Sequence, residues 1–201
     1  MRLAYLLTLF FVYIVSAQGC ASPLFYEEDD FRLVTVGAPK HYNIWVLDMF
    51  LEKSGERSWR QPIGSVGCCW QGAYGPSGKG SLAQPFPELI WIHWFSLAEQ
   101  KYYAHMIHVP KDLSVRMREK APQVTNYDTR LVPRHTMTIG LAPGGTIVMW
   151  ILNQAGNEIE VMRIQAKPIE GDPSRFQERT KAYMDEHGDY LKTHGLQLDK
   201  W

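Results

Sequence analysis

The chain has 201 residues, of which 45% are hydrophobic and 21% charged, which is typical of one globular domain and excludes a disordered chain. Basic and acidic residues both number 21, so the excess of positive charge that binding to a phosphate backbone requires is missing. We therefore expect no nucleic-acid partner.

Residues 1–19 have the three parts of a secretory signal peptide. Arg2 supplies a positive charge, an apolar run follows from Leu3 to Val15, and small residues come next. The run holds about 13 apolar residues, whereas a mature membrane-spanning helix needs roughly 20. We therefore predict that this segment directs export and is then removed.

Two cleavage positions compete. Cleavage after Ala17 would leave Gln18 at the mature N-terminus. Alternatively, residues 17–20 (AQGC) resemble a bacterial lipobox, in which Cys20 is acylated and becomes the first residue. Ala17 and Gln18 depart from that pattern, where a Leu and a small residue are usual. We favour acylation of Cys20, because this Cys directly follows the apolar run in a chain with three cysteines.

An acyl chain on Cys20 would hold the protein at a membrane surface without spanning it. Ala21 after the Cys resembles the pattern for sorting to the outer membrane. Residues 20–30 form the predicted tether, which ends in the acidic run 27–30, and residues 31–201 form a single β-rich globular domain.

The first half of the domain alternates as a series of strands. Predicted strands lie at 31–37, at 42–52, through Trp59 and at 63–70. In the strand 42–52, alternation places one set of apolar side chains on one face and a second set on the other: Ile44, Val46 and Phe50, against Trp45, Leu47, Met49 and Leu51. Residues 71–87 are rich in Gly, Ser and Pro and are predicted to form a long loop, a candidate contact site.

Cys68 and Cys69 are adjacent, and three interpretations of them stay open. They could close on each other as a vicinal disulfide, one could pair with an unacylated Cys20, or both could be small buried thiols. Adjacent side chains on a strand point to opposite faces, so we expect no metal site here.

The central feature is the stretch 89–109 (LIWIHWFSLAEQKYYAHMIHV), two aromatic runs joined by a short polar break. It predicts a β-hairpin in which Trp94 opposes Tyr103 on one face and Trp91 opposes Met106 on the other. Neither face is polar, so we expect a second sheet to cover one face and another sheet or a helix to cover the other.

The second half continues with a short helix, a meander and a terminal helix. The helix is predicted from Asp112 to about Lys120, followed by a loop at 123–134. Strands at 135–141, 146–152 and 158–166 form an antiparallel meander, with a bulge near Val161 where the apolar phase changes. The terminal helix is capped by Asp172, ends at Gly195 and carries an aromatic stripe that packs on the sheet.

These elements predict a mainly β, α+β fold. The sheets would be antiparallel and sandwich-like. A short helix would follow the central hairpin, and the C-terminal helix would pack on the sheet.

No local motif for catalysis, a metal or a cofactor is present in the sequence. His93 and His135 fall within apolar patterns, where a core histidine is commoner than a catalytic one. We therefore predict no catalytic residue, no cofactor and no metal ligand.

Five segments together resemble a known family. They are residues 37–42 (GAPKHY), 64–70 (GSVGCCW), 90–96 (IWIHWFS), 99–103 (EQKYY) and 140–145 (GLAPGG). Their series is similar to the bacterial envelope lipoprotein family catalogued as domain of unknown function 2931. The resemblance implies a lipoprotein of the Gram-negative envelope, acylated at Cys20, and it supplies no catalytic residues.

The resulting expectation is a non-enzymatic protein-binding module that is held by its lipid on the periplasmic side of the outer membrane. By analogy with small lipoproteins beside type VI secretion lipase effectors, its partner would be a secreted effector that it neutralises as an immunity protein. The alternative is a periplasmic hydrolase or carbohydrate-binding module. A deep pocket that joins His93 or His135 to a carboxylate such as Asp48 would favour the alternative.

Overall fold

The structure is a computed structural model, which describes residues 32–71, 79–83 and 85–201. The predicted signal peptide, tether and Cys20 lie outside the described residues. The strands, in chain order, are β1 (Leu33–Gly37), β2 (Ile44–Lys53), β3 (Arg57–Arg60), β4 (Gly64–Val66), β5 (Lys79–Leu82), β6 (Leu89–Ser96), β7 (Lys101–His108), β8 (Lys120–Val124), β9 (Thr129–Pro133), β10 (Thr136–Ala142), β11 (Thr146–Leu152), β12 (Ile159–Gln165) and β13 (Pro168–Ile169). The α-helices within the described ranges are α1 (Leu113–Met117) and α2 (Gln177–His194).

The strands form two larger sheets and a separate two-stranded hairpin. The first sheet has the order β12-β11-β10-β1-β5, and the second has the order β13-β7-β6-β2-β3 with β4 also paired to β2. Every pairing is antiparallel except that of β1 with β10, which is parallel. The mainly β fold with a C-terminal helix is therefore confirmed, with one parallel pair added.

The main core lies between the two larger sheets. Buried side chains from both of them belong to one apolar cluster, among them Val34, Met137 and Ile147 from the first sheet and Ile92 and Met49 from the second. A core shared by facing sheets is the arrangement of a β-sandwich. Within the first sheet, Thr138 is fully buried, and its hydroxyl lies 2.9 Å from that of Thr35.

The central hairpin β6–β7 has the predicted register. Trp94 pairs with Tyr103 and Trp91 pairs with Met106 across the strands. The first sheet covers one face, as expected, and the expected cover of the opposite face is present over only part of it. Phe95 is buried there, whereas Trp91 remains partly exposed.

The C-terminal helix α2 covers part of that opposite face. Asp172 accepts a hydrogen bond from the backbone N–H of Ser174, a 3-10 turn follows at Pro173–Phe176, and α2 ends at Gly195, as predicted. Phe176 and Tyr183 pack in a second apolar cluster, together with Phe95, Leu97, Tyr102 and the partly buried Trp45. The aromatic stripe is thus the contact between helix and sheet.

Two β-bulges change the phase of the strands. The pairing of β11 with β12 skips Val161, which confirms the predicted bulge. The pairing of β2 with β6 skips Leu47, so Met49 and Leu51 lie in the core with Ile44, and Phe50 lies on the opposite face. The predicted assignment of Phe50, Met49 and Leu51 was therefore wrong, because one extra residue inverts the alternation beyond it.

Three boundaries also differ from the predictions. The helix expected to continue to about Lys120 ends at Met117, and the predicted loop at 123–134 is occupied by the β8–β9 hairpin. The predicted strand at 63–70 is reduced to β4. The predicted loop at 71–87 contains β5, where Gly80 allows close approach to β1, since a Cβ there would lie 2.7 Å from the Thr35 Cα.

Candidate functional site

The uncovered part of the second sheet presents a row of large apolar side chains. Phe50, Trp91 and Met106 are cross-strand neighbours on β2, β6 and β7, and they are 43%, 36% and 42% exposed. We call these three residues, two aromatic side chains and one methionine, the aromatic row. Apolar side chains collected on one flat face, beside polar groups, are typical of a contact surface.

A polar cluster adjoins the aromatic row. Beyond the bulge at Leu47, Asp48 pairs with His93 across the strands, and Arg60 lies beside Phe50. Arg60 Nη2 lies 2.9 Å from Asp48 Oδ1 and donates a 3.0 Å hydrogen bond to the carbonyl oxygen of Leu47. The bulge therefore places the Asp48 carboxylate beside Arg60 and His93.

The surroundings of His93 shift the pKa of its imidazole. Burial lowers the pKa of His93, while the nearby Asp48 carboxylate opposes that shift and the Arg175 charge adds to it. Its Nδ1 lies 3.8 Å from Asp48 Oδ2, and its Nε2 is buried without a hydrogen-bond partner among the described residues. A nucleophile activated by His93 would need a hydroxyl or thiol at Nε2. None of the described residues supplies one, so the geometry is that of an Asp–His pair without a nucleophile.

His135 lies elsewhere, next to the start of β10. Its Nδ1 is 3.0 Å from the Thr136 hydroxyl, and its pKa is lowered by burial and by the Arg32 charge. The structure therefore brings Asp48 to His93. Among the described residues, no carboxylate is paired with His135. His135 has a local structural contact at the beginning of its strand.

The adjacent cysteines lie against the end of β1. Cys68 and Cys69 are joined in the structure by a vicinal disulfide, and Cys69 has a left-handed backbone conformation with φ +76°. The Cys68 carbonyl accepts a 2.9 Å hydrogen bond from the Ala38 N–H. The following Trp70 packs edge-on against Trp150, with ring centroids 4.9 Å apart. The Cys-Cys-Trp segment thus closes over the first sheet.

A cavity of about 780 Å³ lies at the end of the second sheet where β6 begins and β7 ends. Its polar lining includes His108, Lys111 and Ser114, together with Lys53, whose ammonium is paired with the Glu88 carboxylate. The volume is in the range of small-ligand pockets. Asp48, His93 and His135 are not among its lining residues, so this cavity is not the pocket joining one of these histidines to Asp48 that would favour the alternative function.

The described residues contain neither a cluster of metal ligands nor a helix that could cross a bilayer. Within them, no three His, Cys, Asp or Glu side chains form an arrangement that could hold a metal ion. None of the helices in the same part of the chain is both long and apolar enough to cross a bilayer.

Sequence reasoning named Asp48 and His93 but missed Arg60 and the exposure of the aromatic row. The sequence signal that could have revealed the bulge, and with it this arrangement, was Asp48 itself. On strict alternation it shares a face with Ile44 and Val46, and a charged residue in a buried row indicates a bulge.

Comparisons with known proteins give a family but no established activity. No curated protein and no solved structure matches the chain. The model of the family described as protein of unknown function, DUF2931, matches residues 23–199, and the chain therefore belongs to this family.

Proposed function

We propose that this protein is a non-enzymatic binding module of the bacterial envelope, anchored through an acyl chain on Cys20 and facing the periplasm at the outer membrane. The observation that carries the binding role is the aromatic row of Phe50, Trp91 and Met106, left uncovered on an otherwise packed sheet. The signal-like segment 1–19 and the position of Cys20 support export and anchoring.

The composition of this face suits a protein partner. Energetically dominant interface residues are enriched in Trp, Tyr and Arg, which bury a large area with few flexible bonds. The aromatic row is bordered by Arg60, and Arg175 acts electrostatically on the neighbouring His93. A partner with an apolar side chain flanked by carboxylates would complement both the row and the arginines.

The more specific proposal is that the partner is a secreted toxic effector of the lipase type and that the protein acts as its immunity protein. A rigid sheet face can cover the mouth of an active site without a catalytic group of its own. Among the described residues no hydroxyl or thiol is bonded to His93 Nε2, which is consistent with a role that needs no nucleophile.

The test is direct binding of the purified full mature chain to secreted lipase-type effectors from the same organism. Trp91→Ser should weaken binding by about 30-fold, as expected when a central aromatic residue worth roughly 2 kcal/mol is lost. Leu198→Ser is the matched control, because Leu198 is 51% exposed but lies beside Gly144, outside the aromatic row. Equal binding by wild type and Trp91→Ser would overturn the proposed surface.

A carbohydrate ligand is the second candidate, favoured by one observation. Trp91 lies on a flat sheet face next to the hydrogen-bonding groups of Asp48 and Arg60, and an aromatic ring beside polar groups can also bind a sugar. Envelope glycans are titrated into wild type and Trp91→Ser, and tryptophan fluorescence reports binding. This measurement separates the two candidates. Saturable glycan binding that depends on Trp91, without effector binding, would replace the protein-binding proposal.

A further inference from the structure

The β8–β9 hairpin exposes apolar side chains outside both larger sheets. Val124, Tyr127 and Leu131 are 60%, 98% and 64% exposed. Val115, on the neighbouring helix α1, is also exposed. These residues contribute little to the core, so their apolar character needs another explanation.

Positive charge is concentrated around the same hairpin. Residues 111–134 contain six basic residues (Lys111, Arg116, Arg118, Lys120, Arg130, Arg134) and three acidic ones (Asp112, Glu119, Asp128), a net charge of +3. The whole chain is balanced at 21 basic and 21 acidic residues. Exposed apolar side chains combined with local positive charge are typical of a segment that lies on an anionic membrane surface.

The hairpin is held rigidly to the body. The Asn153 side-chain amide donates to the carbonyl oxygens of Ala121 at 3.1 Å and Val132 at 2.9 Å. The Val124 N–H donates a 2.7 Å hydrogen bond to the side chain of Gln154. These contacts join both strands of the hairpin to the turn between β11 and β12, so its exposed side chains have a fixed direction.

The hairpin lies at the end of the molecule where the described chain begins. Leu33 pairs with Thr136, and its N–H donates to the His135 carbonyl oxygen at 2.8 Å. Because β1 and β10 are parallel, β1 enters the sheet beside the point where the hairpin leads into β10. The chain from Cys20 to Arg32 has twelve residue steps, which span at most about 40 Å. This reach allows the hairpin end to lie on the membrane that would hold an acylated Cys20.

We propose that the β8–β9 hairpin docks on an anionic lipid bilayer, with Val124, Tyr127 and Leu131 at the interface and the surrounding basic residues over the headgroups. This inference rests on the proposed lipid anchor. Tyrosine suits such a position, since its ring is apolar and its hydroxyl is polar. The contact would fix the orientation of the protein and point the turn at Gly144 away from the membrane, because β10 separates the two ends by roughly 20 Å.

The test places one tryptophan probe at each end of the full acylated chain. Tyr127→Trp and Leu198→Trp are reconstituted separately in vesicles of phosphatidylcholine and phosphatidylglycerol with brominated acyl chains, and the wild-type signal is subtracted. Bromine should quench the probe at position 127 at least about twofold more than the probe at 198, because only the former would reach the interface. Equal quenching at both positions, or none at 127, overturns the proposal.

Two further measurements separate the possible failures. Flotation of the chain with pure phosphatidylcholine vesicles reports the acyl anchor alone, so a chain that does not float overturns the anchor itself. A floating chain without quenching at 127 overturns only the hairpin contact. On vesicles, the backbone amides of residues 120–134 should be protected from hydrogen exchange in the wild type. The variant in which Val124, Tyr127 and Leu131 are all replaced by Ser should lose this protection. If it instead dissociates a dimer in sedimentation experiments, the occupant is a second copy of the chain and the proposal is wrong.

Discussion

The imidazole of His41 stacks on the ring of Tyr190, with centroids 3.9 Å apart and planes inclined by 16°. This contact joins the turn after β1 to the last part of α2. The Tyr183 hydroxyl donates a 2.6 Å hydrogen bond to the His41 carbonyl oxygen, and the Tyr42 hydroxyl donates to the Gly195 carbonyl oxygen at 2.9 Å. The helix is therefore attached through a cluster of aromatic and imidazole rings.

We expect the free energy of unfolding to fall as the pH falls through the range of histidine titration. Burial is the largest cause that lowers the pKa of His41, His93 and His135 from their ordinary value of 6.5. At His41, the charges of Lys40, His187 and His194 add to the shift, and Glu186 opposes it. The unfolded chain takes up protons on these rings more readily than the folded chain, so stability is complete above about pH 6.5 and decreases below it.

Urea unfolding at about pH 7.5 and about pH 5.5 measures this dependence. Replacing His41, His93 and His135 together by Gln should reduce the difference between the two pH values. A triple variant with an unchanged pH dependence, or a wild type that becomes more stable in acid, would contradict the assignment.

The sequence predicted the β6–β7 hairpin in register because its aromatic residues are dense and its polar break is short. The bulge at Val161 was also predictable, since apolar residues change parity there between polar ones. The bulge at Leu47 was not found: Asp48 in a buried row indicates a bulge nearby, but Trp45, Val46 and Leu47 are all apolar, so alternation cannot locate the extra residue among them.

The candidate site was only partly predictable for a related reason. Asp48 and His93 could be named separately, but their pairing depends on the bulge at Leu47. The β8–β9 hairpin was mistaken for a helix end and a loop, because apolar side chains such as Val124 and Leu131 lie on its exposed face, and the sequence therefore lacks the apolar–polar alternation of a half-buried strand.

A matched pair of glycine substitutions tests the packing of the tryptophans on the first sheet. A Cβ on Gly140 would lie 2.5 Å from Trp150 Cζ3 and 2.8 Å from Trp70 Cζ3, so Gly140→Ala should destabilise the fold by about 2 kcal/mol. Gly188 lies within α2, and a Cβ there would meet only Met184 Cε at 3.6 Å. Gly188→Ala should therefore stabilise the fold by about 0.5–1 kcal/mol. Thermal unfolding of both variants decides this, and a neutral Gly140→Ala would show that the two rings can move apart.

Glu99 should contribute strongly to the contact between the two sheets. Its carboxylate accepts a 2.8 Å hydrogen bond from the Tyr103 hydroxyl in the second sheet and a 3.1 Å hydrogen bond from the Gly144 N–H beside the first. Glu99→Ala leaves both donors without this partner and should cost about 2 kcal/mol. A double-mutant cycle with Tyr103→Phe should give a coupling energy of about 1 kcal/mol. Strict additivity of the two substitutions would show that the hydrogen bond contributes nothing.

The last prediction concerns the charges around His93. The Asp48 carboxylate raises the pKa of His93 against the larger, lowering effect of burial, and the Arg175 charge lowers it. Asp48→Asn should therefore lower the pKa of His93 further, whereas Arg175→Gln should raise it towards the ordinary value. Titration of the His93 ring protons by NMR measures both directions, and an unsubstituted chain recorded in parallel supplies the reference. If Asp48→Asn instead raised the pKa, the carboxylate could not be acting on His93 in the folded protein, and the polar cluster beside the aromatic row would have to be assembled differently.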